Sequence, residues 1–186
     1  MKKIAKSGFT LVEMLIVIVI LGIVAKVAIP MLSSNDPQKL SVAAEETANL
    51  LRFALSEANR TGGYVLVDGK TTSGQLALYY SNASAQIPPS VGTAAVIDPL
   101  TKRAMVLDIT NSAFSQGVTL TPIFMFSMSN SATQLLIGPG TANLEVFNGS
   151  SVDKGPLYPN SQVLLSYGSQ SIAVSINEIT KLVTLP

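Results

Sequence analysis

One acidic side chain, Glu13, interrupts a long run of apolar residues near the N-terminus. Within residues 9–32 the only other ionisable side chain is Lys26. A charged group in the hydrocarbon of a membrane costs on the order of 2.5–3.5 kcal/mol even on the most lenient insertion scale. Glu13 is therefore a functional candidate, and its chemistry would be ion pairing with a cation that is brought to it.

A cation for Glu13 would be created by cutting the chain after Gly8. Phe9 would then carry a free α-amine, whose reference pKa of about 7.7–8.0 makes it mostly cationic at neutral pH. Glu13 follows four residues later on the same helix face, where the positive end of the helix dipole also favours a carboxylate. The alternative is a carboxylate at a helix start that rests among the lipid headgroups.

The apolar run of residues 9–32 predicts a helix that spans a membrane, since it is about 36 Å long at about 1.5 Å per residue. Three lysines precede it, so the positive-inside rule places the short leader in the cytoplasm. An ordinary secretory signal would have a shorter apolar core and would be cut behind it. We therefore expect the apolar run to stay in the mature protein, with a basic leader at residues 1–8, an anchor helix at 9–32 and an extracytoplasmic head at 33–186.

The residues around this cut resemble a known signal. From Lys6 the chain reads Lys-Ser-Gly-Phe-Thr-Leu-Val-Glu-Met-Leu, followed by the rest of the apolar run, which resembles the class III signal of type IV pilins and type II secretion pseudopilins. The resemblance implies cleavage between Gly8 and Phe9 by a prepilin peptidase, and N-methylation of Phe9. It also implies that Glu13 pairs with the N-terminal amine of a neighbouring subunit during filament assembly.

The resemblance also includes Gly22 and Pro30. In filaments of the family, the helix is often unwound into an extended chain between the equivalent two positions. Pro30 cannot donate to the carbonyl of Lys26, so it would kink or loosen the helix. The alternative for both residues is a bent anchor helix without a role in assembly. Lys26 departs from the apolar residue usual in the family. Its side chain could snorkel to the headgroups or pair with a carboxylate of a neighbouring subunit.

A second, amphipathic helix is predicted at residues 37–61. Asp36 is a good N-cap, Pro37 suits the first helical position, and Gly62 with Gly63 ends the helix. Apolar residues three and four positions apart form one face: Leu40, Ala43, Ala44, Ala48, Leu51, Ala54, Leu55 and Ala58. We expect this face to pack on the chain's own sheet, and dimerisation through it is the alternative.

The chain after Gly63 alternates short apolar runs with turn residues. Residues 64–67 and 75–80 are predicted to form a hairpin with a longer loop. Further strands are predicted at residues 103–109, 123–128, 134–137, 144–147, 162–167, 172–176 and 181–185. The expected fold is α+β and type IV pilin-like: a long N-terminal hydrophobic helix, then an amphipathic helix packed on an antiparallel sheet or sandwich.

Residues 50–67 carry a second resemblance. The passage Leu-Leu-Arg-Phe-Ala-Leu-Ser-Glu-Ala-Asn-Arg-Thr-Gly-Gly-Tyr-Val-Leu-Val is similar to the helix-to-strand passage of GspH minor pseudopilins and the related FimT minor pilins. This resemblance implies a minor subunit rather than a major one.

The composition lacks the two residue types that most often act as general base, nucleophile or metal ligand. The chain has no His and no Cys, which excludes disulfides, thiolate metal sites and the commonest general base. The acidic residues of the head are scattered, and Asp98 and Asp153 are typical of turns. A calcium site at Asp153 would lack a loop rich in ligands. We expect no enzymatic activity, no cofactor and no metal.

The charge balance gives no sign of a nucleic-acid partner. The net charge is +1, and removal of Lys2, Lys3 and Lys6 would leave nine basic against eleven acidic side chains, a side-chain sum of −2. The chain also has no run of basic residues beyond the leader. A DNA-binding head would need a basic patch, so we expect no nucleic acid among its partners.

The expected function is that of a minor pseudopilin in a type II secretion system. The alternative is a minor type IV pilin of a surface pilus used for adhesion, twitching motility or DNA uptake, and a third option is an anchored enzyme or ligand-binding domain. The expected partners are other pilin or pseudopilin subunits, prepilin peptidase and the inner membrane, with the secretin or secreted cargo at the head. The protein would cross the inner membrane once, with its head in the periplasm or outside the cell.

Overall fold

The computed structural model describes residues 11–33, 36–69, 72–81, 94–142, 144–147 and 154–186. The chain divides into two compact units, residues 1–35 and residues 36–186. The first contains helix α1 (Leu11–Ser33), and the second, the head, begins with helix α2 (Asp36–Thr61). The described part of the head contains β1 (Tyr64–Asp68), β2 (Gln75–Ser81), β3 (Val106–Asp108), β4 (Thr119–Met125), β5 (Ser131–Ala132), β6 (Gln134–Ile137), β7 (Leu144–Phe147), β8 (Lys154–Pro156), β9 (Gln162–Tyr167), β10 (Gln170–Ile176) and β11 (Val183–Thr184).

Helix α1 lies where the sequence predicts the long N-terminal helix. It consists mostly of Leu, Ile, Val, Met and Ala, and it has no distinct polar face. Its side chains from residue 11 to residue 26 are all exposed. No helix among the described residues is both long enough and apolar enough to cross a membrane.

Helix α2 buries the face that its apolar spacing predicts. Leu40, Ala48, Leu51 and the other residues of that face are buried, apart from the half-buried Leu55. These residues belong to the main core of the head, so the prediction that the face packs on the chain's own sheet is confirmed. Gly62, at φ +65°, follows the last helical residue in a conformation that glycine adopts without steric cost.

Six strands form an antiparallel sheet in the order β3-β2-β1-β6-β7-β8. The predicted hairpin is confirmed, with Val65 of β1 opposite Tyr80 of β2. On its other side β1 pairs with β6, which places Leu66 opposite Leu136. Successive residues of a strand point to opposite faces, and in the centre of this sheet both faces are buried.

Five strands form a second antiparallel sheet in the order β11-β10-β9-β4-β5. Strands β9 and β10 are joined by a two-residue turn, which places Tyr167 opposite Gln170 and Gly168 at φ +59°. Buried and exposed residues alternate along β4, with Leu120, Pro122 and Phe124 buried. This alternation is typical of a sheet with one face on a core.

One core joins α2 to both sheets, because α2 contacts strands of each. It combines Val67 and Leu78 of the first sheet with Phe124, Leu165 and Val174 of the second. A smaller apolar cluster lies on the opposite face of β1, β6 and β7, and it consists of Leu66, Leu136 and Phe147 with Tyr64 and Tyr79 packed against it. The observed α+β architecture is a helix shared by two antiparallel sheets.

The strand predictions fail at the sheet edges. β4 starts four residues earlier than predicted and contains Pro122. β5 pairs only with Phe124 and Met125, so Pro122 lies where β4 has one described neighbour, β9, and such a position tolerates proline better than one between two strands. β3 and β11 are shorter than predicted, with three and two residues. β5 and β8 are not predicted, because they are too short to show an alternating pattern.

Candidate assembly surfaces

Helix α1 presents apolar side chains to its surroundings from residue 11 to residue 26. From Leu11 to Val24 the large apolar side chains are 50–82% exposed. Apolar area is unfavourable in water by roughly 25 cal/mol per Å². An exposed apolar surface of this size marks a candidate interaction surface.

Glu13 lies exposed in the first turn of α1. At that end of a helix the dipole favours a negative charge. Gly8 and Phe9, the predicted cleavage point, lie outside the described residues. The pairing of Glu13 with an N-terminal amine accordingly stays a prediction.

Gly22 and Pro30 both lie within α1, which is helical from Leu11 to Ser33. A Cβ atom added at Gly22 would meet no atom of the chain within 4 Å. Contacts within the chain therefore do not require glycine at this position. The bending role of Gly22 and Pro30 stays a prediction. Lys26 is exposed on the same helix.

A groove of about 490 Å³ lies on the head between α2 and the segment of residues 98–107. Helix α2 lines it with Glu46, Asn49, Leu50 and Phe53. The facing segment contributes Asp98, Pro99, Leu100, Met105, Val106 and Leu107. We call this the α2 groove. Its walls are mostly apolar, and two acidic side chains line it.

A hydrogen-bonded turn at residues 98–102 holds Leu100 beside the α2 groove. The Asp98 carboxylate accepts hydrogen bonds from Leu100 N at 2.9 Å and Thr101 Oγ1 at 2.7 Å, and Lys102 N donates to the Asp98 carbonyl at 2.9 Å. The Thr101 hydroxyl is the main cause that lowers the pKa of Asp98 from its ordinary value. The predicted turn at Asp98 is confirmed, and it leaves Leu100 89% exposed.

A buried carboxylate, Glu57, joins α2 to β2. Arg60 donates to Glu57 Oε2 and Oε1 at 2.8 and 2.6 Å, and the Tyr80 hydroxyl donates to Oε1 at 2.5 Å. The bonds from Arg60, and after them the bond from Tyr80, lower the pKa of Glu57 although burial opposes this. The same contact raises the pKa of Tyr80. This cluster fixes the helix to the sheet.

Sequence reasoning misses both the α2 groove and the Glu57 cluster. The spacing of Glu57 and Arg60 is a visible signal of a helical ion pair, but the position of Tyr80 depends on strand register. The two walls of the groove are far apart in the sequence.

Asp153 lies outside the described residues, and among those described no three His, Cys, Asp or Glu side chains are placed to hold a metal.

Comparison with known proteins adds a family match at the N-terminus. Residues 4–25 match the family described as the prokaryotic N-terminal methylation motif. Two crystal forms of the type IV minor pilin FimU from Pseudomonas aeruginosa PAO1 are similar to this chain at 13% and 14% identity, with TM-scores of 0.45 and 0.44. The matches cover 82% and 79% of this chain and 91% and 92% of those chains. Residues 4–25 of the chain therefore match the prokaryotic N-terminal methylation motif, and a head of α+β fold follows them.

Proposed function

We propose that this chain is a minor pseudopilin of a type II secretion system, a structural subunit of a periplasmic pilus-like filament that helps to drive protein export. The observation that carries the proposal is Glu13. It lies in the first turn of an exposed apolar helix and within the residues that match the N-terminal methylation motif. A subunit of this kind works by packing and sliding, so its residues position neighbouring chains rather than react.

Assembly begins with removal of the leader. Prepilin peptidase cuts between Gly8 and Phe9, and N-methylation of Phe9 keeps the new amine cationic. Among packed apolar helices an uncompensated Glu13 carboxylate is costly, on the order of 2.5–3.5 kcal/mol. Pairing with the amine of a neighbouring subunit offsets that cost at one register only, so the pair selects the correct docking position.

The anchor helix holds the subunit in the inner membrane before assembly, as a single span with the head in the periplasm. Gly22 and Pro30 allow the helix to bend or extend when it leaves the bilayer and packs against other subunits, since proline removes one helical hydrogen bond. The head then contacts other subunits, the secretin or secreted cargo. Neither a cofactor nor nucleic acid has a part in this function.

A minor type IV pilin of a surface pilus is the second candidate. The motif at residues 4–25 supports it equally, because both kinds of filament use the same processing and the same helix packing. Deletion of the gene separates the two candidates. Loss of secreted proteins from the culture medium supports the pseudopilin, whereas loss of surface fibres with normal secretion supports the pilin.

The Glu13→Ala variant tests the proposed function. We expect leader cleavage to be unchanged, because the cut lies before Phe9, and we expect the variant to be lost from the filament fraction. Mass spectrometry of the N-terminus measures cleavage, and immunoblots of sheared or pelleted filaments measure incorporation. Met14→Ala is the matched control, since Met14 is exposed on the same helix. Normal incorporation of Glu13→Ala would show that the role given to Glu13 is wrong.

A bulky residue at the cleavage point tests processing by itself. In Gly8→Leu we expect an uncleaved precursor in the membrane, heavier than the mature chain by residues 1–8, because the peptidase must accommodate this residue next to the bond that it cuts. Ser7→Ala serves as the control and should be processed normally. Normal processing of Gly8→Leu would contradict cleavage at this bond.

A further inference from the structure

Strand β3 is an edge strand of the first sheet, with β2 as its neighbour among the described strands. Ile109 N, one residue past β3, donates across the ladder to the Gly74 carbonyl at 3.2 Å. Bonded and non-bonded residue pairs alternate along an antiparallel ladder, so Leu107 also bonds to β2. Val106 and Asp108 therefore direct their backbone N–H and C=O groups away from β2.

The open edge of β3 borders the α2 groove. Met105, Val106 and Leu107 all line the groove, although successive side chains of a strand point to opposite faces. The groove therefore runs along the edge of the strand. Its opposite wall includes Leu50 and Phe53 of α2. An extended chain in the groove would meet backbone donors and acceptors on one side and apolar side chains on the other.

Hydrogen-bonded turns hold both ends of this edge. Before β3, the Asp98 carboxylate accepts a bond from Thr101 Oγ1 at 2.7 Å. After β3, the Asp108 carboxylate accepts bonds from Thr110 Oγ1 at 2.6 Å and Gln75 Nε2 at 2.7 Å. The edge is thus ordered before a partner arrives, so little conformational entropy is lost when the partner binds.

Glu46 sets the charge of what enters the α2 groove. It is half-buried at the groove and, within the described part of the chain, makes no salt bridge. Asp98 also lines the groove, but its oxygens already accept the bonds of its own turn. The groove therefore favours an apolar segment that carries one Lys or Arg.

Strand length argues against a second copy of this chain as the source of that segment. From Glu46 to Phe53 the helix rises about 10.5 Å, which takes at least about four residues of a strand. The edge strands of the described sheets are β3, β5, β8 and β11, and they have three, two, three and two residues. These lengths favour a segment of a different protein.

We propose that the α2 groove binds an extended segment of another filament subunit, which adds a strand to β3. The backbone of the segment bonds to Val106 and Asp108. Every second side chain packs on Leu50 and Phe53, and a Lys or Arg pairs with Glu46. In strand addition, main-chain bonds supply affinity and alternate side chains supply specificity. The inference rests on the proposed function for the source of the segment, because the filament supplies the neighbouring subunit.

Synthetic peptides test strand addition on the detergent-solubilised full chain. The peptide Lys-Thr-Val-Thr-Val-Thr-Val, with a fluorescent label, is titrated by anisotropy, and we expect saturable binding. One methylated peptide carries N-methyl groups on its Thr residues and the other on its Val residues. One of the two should lose about tenfold in affinity and the other should not, because a one-residue shift would turn the Val side chains out of the groove. Absence of saturable binding, or equal affinity of the two methylated peptides, would overturn the proposal.

A substitution in β3 removes the donor from the protein side. Val106→Pro lacks the outward N–H, and an edge strand tolerates proline at such a position. It should bind the unmethylated peptide about tenfold more weakly than Val106→Ala, which keeps the N–H. Equal affinity of the two folded variants would contradict strand addition. Where Val106→Pro does not fold, the methylated peptides decide the question alone.

The cation is tested by exchanging charges on both sides. Glu46→Gln should weaken binding of the Lys peptide and leave unchanged the binding of a peptide with Gln in place of Lys. Glu45→Gln is the matched control, since Glu45 is exposed on α2 and does not line the groove. An equal effect of Glu46→Gln on both peptides would show that no ion pair forms.

The source of the segment is tested in isolated filaments. A photo-cross-linking amino acid replaces Leu100, which is 89% exposed beside the groove, and mass spectrometry identifies the product. We expect a cross-link to a filament subunit other than this chain. A cross-link to a second copy or to a secreted protein would overturn the proposal. The peptide titrations use the isolated chain, so their failure leaves the filament function standing, whereas normal incorporation of Glu13→Ala counts against that function alone.

Discussion

At the scale of single residues, Glu57 shows how the head tolerates a buried charge. Its carboxylate accepts two hydrogen bonds from Arg60 and one from Tyr80. Arg60 is itself 68% exposed, so its ion pair contributes little in water. The bond from Tyr80 joins α2 to β2 directly.

The pH dependence of stability tests this cluster. The pKa of Glu57 lies below its ordinary value of 4.5 in the folded chain. As the pH falls below 4.5, the unfolded chain binds a proton at this residue before the folded chain does, so the stability from Glu57 is lost on acidification. We expect Glu57→Gln to lower the free energy of unfolding by about 1 kcal/mol at pH 7. Below pH 4.5, the free energy of unfolding should decrease less steeply with falling pH in this variant than in the wild type.

Thermal denaturation of the detergent-solubilised chain from pH 3 to pH 7 measures this difference. Glu45→Gln is the control, because it removes an exposed carboxylate from the same helix. Hydrogen bonds also lower the pKa values of Asp98 and Asp108, and the largest contributions come from the hydroxyls of Thr101 and Thr110. Both aspartates are present in every variant, so their effect on stability cancels when the variants are compared. Parallel curves for wild type and Glu57→Gln would contradict the prediction.

At the scale of elements, the end of β1 approaches β4 so closely that only glycine fits. Gly69 N donates to the Thr133 carbonyl at 3.0 Å. A Cβ atom at Gly69 would lie 2.4 Å from Pro122 Cγ and 3.1 Å from Leu76 Cδ2. This contact joins the two sheets directly, outside their shared contact with α2.

Gly69→Ala should therefore weaken the packing between the two sheets. We expect a loss of about 1–3 kcal/mol in the free energy of unfolding, which is the usual cost of overpacking, measured by chemical denaturation. Gly63→Ala is the matched control, because the nearest atom to its added Cβ would be Thr61 Oγ1 at 3.5 Å, an ordinary contact. Equal stability of the two variants would show that the sheets adapt at Gly69.

The sequence predicts the elements that have a strong internal period. Helix α2 differs from its predicted range by one residue, since the spacing of its apolar face persists over about five turns and Gly62 marks its end. The predicted ranges of β6, β7 and β9 agree with the structure, because turn residues bound each of them. The short edge strands β5 and β8 carry Ser, Gly, Lys and Pro, and only their neighbours define them.

The candidate sites also differ in whether the sequence alone can predict them. Glu13 can be found from sequence, because a charge in an apolar run is anomalous by itself. The α2 groove cannot, because Phe53 and Leu100 meet only after the sheet has placed the segment of residues 98–107 beside α2. Local periodicity does not predict this placement. It also does not predict the strand register that brings Tyr80 to Glu57.

At the scale of the whole molecule, the described core belongs to one of the two compact units of the chain. Every residue of the described core lies between Leu40 and Val183, within the unit of residues 36–186. The described side chains of α1, from residue 11 to residue 26, are exposed. The described core can therefore form within residues 36–186 alone.

A chain that starts at Asp36 should therefore fold alone. We expect it to remain monomeric in buffer without detergent, because the exposed apolar surface of α1 is gone. It should unfold in one cooperative transition with the midpoint of the full-length chain in detergent, since no described core residue has been removed. Size-exclusion chromatography and thermal denaturation by circular dichroism measure the two properties.

Two single substitutions in helix α2 show whether this unfolding transition depends on packing in the described core. Ala54→Leu should lower the midpoint, because Ala54 is fully buried and a larger side chain overpacks the core at a cost of about 1–3 kcal/mol. Ser56→Leu should leave it nearly unchanged, because Ser56 is exposed on the same helix. A truncated chain that aggregates, or whose midpoint falls well below that of the full chain, would mean that residues 1–35 stabilise the head.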